Sequence, residues 1–171
     1  NDLTMLELRI LVPTNARSFS FDFQFFTAEY PEFLGTEFND TFWAHLDSKK
    51  YKGNISFDKA GTPIRLNNAF FDICDPDPGH PQTQQYCTKP AALLTGTGFA
   101  KDCASTLSCG GVSCGGSTGW LTTTAPVEPG EIITLSFYIF DKGDHIHDST
   151  VLLDNFRWSL TPALVPITAP D

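Results

Sequence analysis

The residues best placed to do chemistry lie in one stretch, Phe140-Asp-Lys-Gly-Asp-His-Ile-His-Asp-Ser-Thr-Val-Leu-Leu-Asp-Asn-Phe156, which sets Asp141, Asp144, Asp148 and Asp154 around His145 and His147. Carboxylates this close repel one another unless a cation or strong donors neutralise them. Bound Ca2+ is the economical resolution: it takes roughly six to eight oxygen ligands, which Asp side chains, Ser149 and backbone carbonyls supply. The spacing is not that of an EF-hand loop, and the competing reading is a solvated acidic hairpin loop. A second acidic cluster, Glu29, Glu32, Glu37, Asn39 and Asp40, precedes a strand expected from about Thr41. Were the fold to bring the two together, ligands from distant segments would complete one Ca2+ site. Glu32, just after Tyr30-Pro31, is expected to be exposed instead.

Other chemistries have weaker support. His145 and His147 are two apart, so an extended segment puts both rings on one side, and His45 or a nearby Asp would complete a Zn or Cu site. No H-E-x-x-H, G-x-S-x-G or comparable nucleophile context accompanies them. Paired carboxylates for glycoside hydrolysis are a question of three-dimensional separation. A cluster this dense binds a cation more readily than it keeps one acid protonated, so the chain is read as non-catalytic.

The elements that must position these groups are strands. Ile133, Leu135, Phe137 and Ile139 recur at period two upstream of the acidic loop, and residues 150–158 are rich in β-formers downstream. Leu6, Leu8, Ile10 and Val12 alternate with Glu7 and Arg9, as in an edge or outer strand with one wet face. Phe19, Phe21, Phe23 and Phe25 alternate with Ser20, Asp22 and Gln24, which predicts a thick aromatic core. Short strands are expected at 54–58, 63–66 and 69–73, and strand again at 119–124. Residues 74–116 read as loop, and 161–171, with Pro162, Pro166 and Pro170, as a Pro-rich tail or linker. Asn39-Asp-Thr41 and Asn54-Ile-Ser56 are formal glycosylation sequons.

Five cysteines, Cys74, Cys87, Cys103, Cys109 and Cys114, fall within 41 residues at spacings of 13, 16, 6 and 5. Zinc ribbons need paired C-x-x-C ligands, which these spacings lack, so the cysteines read as disulfide staples in an oxidising compartment. The expected pairs are Cys74 with Cys87 and one bridge among the other three, leaving an odd cysteine.

At 171 residues with 15 Phe, 13 Gly, 12 Pro and 18% charged residues, the chain predicts one all-β domain, a jelly-roll-like sandwich over 1–160 with the Cys-rich insert at 74–116. A net charge of -9 argues against nucleic acid and anionic membrane surfaces as partners. No apolar run is long enough for a membrane span, Asn1 does not begin a signal peptide, and the chain is read as a mature or trimmed exported piece.

Four stretches carry a resemblance: Phe19-Ser-Phe-Asp-Phe-Gln-Phe-Phe26; Ala28-Glu-Tyr-Pro-Glu-Phe33 with Glu37-Phe-Asn-Asp40; Gly116-Ser-Thr-Gly-Trp-Leu121; and Asp141-x-Gly-Asp-x-x-x-Asp148 running on to Asp154-Asn-Phe156. Together they resemble the bacterial choice-of-anchor L type domain of exported proteins in myxobacteria and relatives, over most of residues 19–158. The Cys-rich insert is not part of the general pattern, and His145 and His147 sit where it is loose. The resemblance implies a secreted or surface-anchored β-sandwich without an assigned activity. It also carries the acidic signature onto Glu29, Glu37, Asn39, Asp40, Asp141, Asp144, Asp148 and Asp154, whose roles as Ca2+ ligands are inferred from their chemistry.

The expected function is a secreted or cell-surface structural or adhesive module stabilised by Ca2+, a filament or matrix subunit whose partners are other copies of itself or surface components. Strand addition along residues 4–12 or the tail would polymerise it. The alternative is a carbohydrate-binding module using Trp43 and Trp120, with Tyr51, Tyr138, His145 and His147 as further candidates; Trp43 and His45 lie on the opposite parity from Phe42, Ala44 and Leu46.

Overall fold

The computed structural model describes residues 2–31, 33–36, 39–77, 83, 87–99, 115–142 and 147–171. Among the described residues nine strands run in chain order: β1 (Leu3–Leu11), β2 (Ser18–Thr27), β3 (Thr41–Asp47), β4 (Lys52–Asn54), β5 (Ile64–Arg65), β6 (Gly116–Pro126), β7 (Ile132–Phe140), β8 (Ser149–Ser159) and β9 (Ile167–Pro170). A 3-10 turn covers Ala91–Leu94. One sheet has the order β1-β7-β3-β4 with β5 also on β3; the other has the order β8-β2-β6-β9. All named pairs are antiparallel. The all-β sandwich expected from the alternation is therefore present, with its core between the sheets.

The core follows from parity. Phe19, Phe21, Phe23 and Phe25 of β2 point inward against Phe42, Ala44 and Leu46 of β3 and Ile133, Leu135 and Phe137 of β7. Phe21 meets Phe137 edge-on with ring centroids 5.2 Å apart, and Phe23 meets Phe42 at 4.9 Å, the tilted geometries that aromatic quadrupoles favour. A satellite cluster of Tyr30, Leu34, Leu66, Phe71 and Cys74 packs under the loops.

Two bulges adjust this pattern. Between Gln24 and Phe26 the register with β6 slips, Gly119 adopts φ +69°, and Phe25 donates its N–H to Thr118 Oγ1 at 3.2 Å in place of a ladder bond. Between Ser20 and Asp22 the register with β8 slips, with Asn155 at φ +53°. The extra residue reverses the parity of β8, so Phe156 stacks on Phe19 at 5.3 Å while Arg157 turns outward and donates to Asp22 at 2.8 Å.

Several expectations need correction. Residues 69–73 form no strand; only Ile73 makes isolated bridges, to Lys89 and Ser117. The strand expected at 54–58 ends at Asn54. The segment 161–171 is no free tail throughout: Ile167–Pro170 pairs with β6, and Thr168 reaches the buried hydroxyl of Thr123 at 2.8 Å. The prolines of this segment do not bar it from the sheet, because an edge strand tolerates Pro. Cys74 and Cys87 form the expected disulfide, with Cα atoms 4.9 Å apart. Cys103, Cys109 and Cys114 lie outside the described residues, as does most of the insert. Among the described residues no helix is long and apolar enough to cross a membrane.

Candidate functional site

Strand direction decides where the acidic segments go. β2 ends at Thr27 opposite Ser149, where β8 begins, and β7 ends at Phe140 opposite Thr41, where β3 begins. Antiparallel pairing thus forces the loop after β2 and the loop after β7 to the same end of the sandwich. Ala28 N–H donates to the Asp148 carbonyl at 3.1 Å, tying the loops together.

Where they meet, a cavity of about 110 Å3 is lined by Asp40, Asp141, His147, Asp148 and Ser149, and by Asp2 and Thr4 from the start of β1. Nothing in the sequence pattern marks Asp2 for this place. It arrives because β1 pairs with β7 in a register that sets Leu3 opposite Phe140, and Asp141 N–H donates to the Asp2 carbonyl at 3.3 Å. The period-two pattern identified both strands but carries no register, the only signal that would have found it. Inside the cavity, His147 Nε2 and Ser149 Oγ are buried without a hydrogen-bond partner among the described residues.

The remaining acidic positions take up other work. Glu29 is 3% exposed, and both its carboxylate oxygens accept the N–H of Asp40 at 3.0 Å. It holds the backbone that presents Asp40. Asn39, 1% exposed, donates through Nδ2 to the carbonyls of Phe33 and Thr36, while Oδ1 accepts two bonds from Asn67, at 2.7 Å from its side chain and 3.2 Å from its backbone. Its amide brackets the loop, a burial that also argues against the sequon at Asn39. At the second sequon, Asn54 Oδ1 accepts from Ala44 N and Ser56 N at 3.2 and 3.1 Å. Asp154 stands in the β8 bulge, accepting Asn155 N–H at 2.7 Å, six residues beyond Asp148 and so roughly 20 Å away along a strand. Glu32, Glu37, Asp144 and His145 lie outside the described residues.

Among the described residues no group of three His, Cys, Asp or Glu side chains stands close enough to hold a metal ion as arranged. His45 and His147 line different hollows, the first on the outer face of one sheet and the second in the end cavity, where its ring meets Phe33 edge-on at 5.6 Å.

The candidate sugar-binding aromatics also separate. Trp43, 39% exposed, faces solvent from β3 and, with Leu3, His45, Tyr138, Phe140, Asp141 and Lys142, lines an open apolar hollow of about 550 Å3. Trp120 is on β6, in the other sheet, and faces outward there, so the two indoles belong to opposite sides of the molecule. Tyr51 instead packs on the core and donates to the Asn54 carbonyl at 3.0 Å.

The family model described as Choice-of-anchor L domain matches residues 1–157. No curated protein and no solved structure matches the chain.

Proposed function

Because the chain belongs to the Choice-of-anchor L domain family, a surface-associated module, we propose that it is a non-catalytic structural or adhesive domain whose acidic end binds Ca2+ as a clip between loops. One observation carries this reading: Asp40 and Asp148, over a hundred residues apart in sequence, line one small cavity with Asp141 and Asp2. Ser149 Oγ, buried beside them and without a hydrogen-bond partner among the described residues, is a further oxygen of the kind Ca2+ takes. Among the described residues no three of these acids stand at ion-holding distance, so binding would draw the loops together rather than fill a finished cage. In this reading Glu29 is a positioning residue, holding Asp40 by its backbone.

The test is thermal unfolding with excess Ca2+ and with EDTA, beside an Asp148→Asn variant. Ca2+ at about 100 to 1,000 times its Kd should stabilise the native protein by roughly 3–4 kcal/mol, and the variant should lose that gain. An equal midpoint in Ca2+ and EDTA would overturn the reading.

The hollow around Trp43 supports a second reading, a carbohydrate-binding face. Trp43 and Tyr138 are cross-strand neighbours on an outward surface, and Asp141 and Lys142 offer hydrogen-bonding groups at the rim. Glycan-array binding abolished by Trp43→Ala would support it; no binding by the native protein would dismiss it.

A further inference from the structure

Among the described residues the sheet edges are unequally protected, and the two-residue β5, beside β4 on β3, is the shortest strand at any of them. β4 and β9 are three and four residues long, and β9 ends in Pro170. β8 is broken by the Asn155 bulge. Short length, Pro and bulges are the usual devices that stop an edge from recruiting another strand. β1 has none of them: it pairs with β7 over nine residues without a register shift, contains no Pro, Gly or Lys, and among the described residues nothing pairs with its other side.

Its inward face is also uncovered. Leu6 and Leu8 lie opposite the core residues Phe137 and Leu135, yet remain 48% and 37% exposed. Across the gap, the inward-facing Leu153 and Phe156 of β8 are similarly exposed. Between them lies a cavity of about 220 Å3 lined by Leu6, Phe42, Phe137, Ile139, Val151 and Leu153. The sandwich is open along this side.

We propose that β1 pairs antiparallel with β1 of a second copy about a two-fold axis through Leu8. The charges select this partner. With Leu8 opposite Leu8, Glu7 faces Arg9 of the second copy and Arg9 faces its Glu7, while Leu6 meets Ile10 and Met5 meets Leu11. Opposite charges directly across a strand pair are favourable, and like charges are not. Registers one step to either side set Glu7 on Glu7 or Arg9 on Arg9. Arg9 has no acidic partner within the chain among the described residues. Pairing joins the two β1-containing sheets into one and brings Leu6 and Leu8 of both copies together, as a two-fold interface requires. The proposal names the partner in the assembly role suggested above and needs neither ion nor sugar.

Sedimentation equilibrium of the 171-residue chain tests it, once in Ca2+ and once in EDTA, so that loss of the ion effect and loss of pairing are read separately. The native chain should dimerise in both. Arg9→Glu and Glu7→Arg should each weaken the dimer by about tenfold or more, since each sets like charges opposite at two places. Mixing the two variants should restore dimers, because a strand with two acidic side chains flanking Leu8 then faces a strand with two basic ones. A native chain that stays monomeric, or a dimer indifferent to these charges, would overturn the proposal. Unchanged circular dichroism of the exposed-site variants keeps misfolding out of the comparison.

Discussion

Tyr30 illustrates how a single side chain can be fixed by its surroundings. It is 1% exposed, its hydroxyl donates to the Asp75 carbonyl and lies 3.4 Å from Cys87 Sγ, and its ring stacks on Phe71. Burial, with the nearby Asp77 and Asp75 carboxylates adding to it against the Thr83 hydrogen bond, pushes its pKa from 10 up to about 12. The neutral form is thus favoured by the native state. Below pH 10 both states are protonated and stability is full; as pH rises toward about 12 the unfolded chain ionises first and stability falls, by roughly 2–3 kcal/mol. Urea unfolding across that range should show this slope, and Tyr30→Phe should flatten it while costing about 1 kcal/mol near neutral pH. At this scale the sequence was informative about chemistry and silent about use. Asn39 and Glu29 have the oxygens of ligands, but burial turned those oxygens to backbone and amide donors, a fate that depends on which loops pack together.

Among the elements, β8 is the one whose sequence misleads. Val151, Leu152, Leu153 and then Phe156 and Trp158 do not alternate, because the Asn155 bulge shifts the inward set by one residue. Asn tolerates the left-handed conformation, and its Nδ2 reaches Asp22 at 2.7 Å, beside Thr122 and Arg157 on the same carboxylate. Asn155→Gly should therefore lose only the hydrogen bond, about 1 kcal/mol, whereas Asn155→Val adds roughly 1–3 kcal/mol of backbone strain; thermal unfolding of the pair checks the order. The β2 strand, with four phenylalanines at period two, needed no such correction and was legible throughout. Loop length was legible only as a need for staples. The Cys74–Cys87 bridge closes a separation of 13 residues, and replacing both with Ala should cost roughly 3 kcal/mol in denaturant unfolding.

At the scale of the molecule, the sandwich has one acidic end and one open side, and both arise from strand order. Alternating strands between sheets brings the loops after β2 and β7 to one end, while placing β1 and β8 at the same side leaves their inward leucines half covered. Composition and alternation predicted the class of fold because burial imposes period two. They could not predict the neighbour order, and so left Asp2 out of the acidic end. The measurement that tests the account most directly is a double-mutant cycle on Ca2+ affinity by calorimetry, with Asp40→Asn, Asp148→Asn and the double variant. If the two loops form one site, each single change should weaken binding by about tenfold or more and the double change should cost clearly less than their sum. Additive losses, or a native protein that binds no Ca2+, would contradict it.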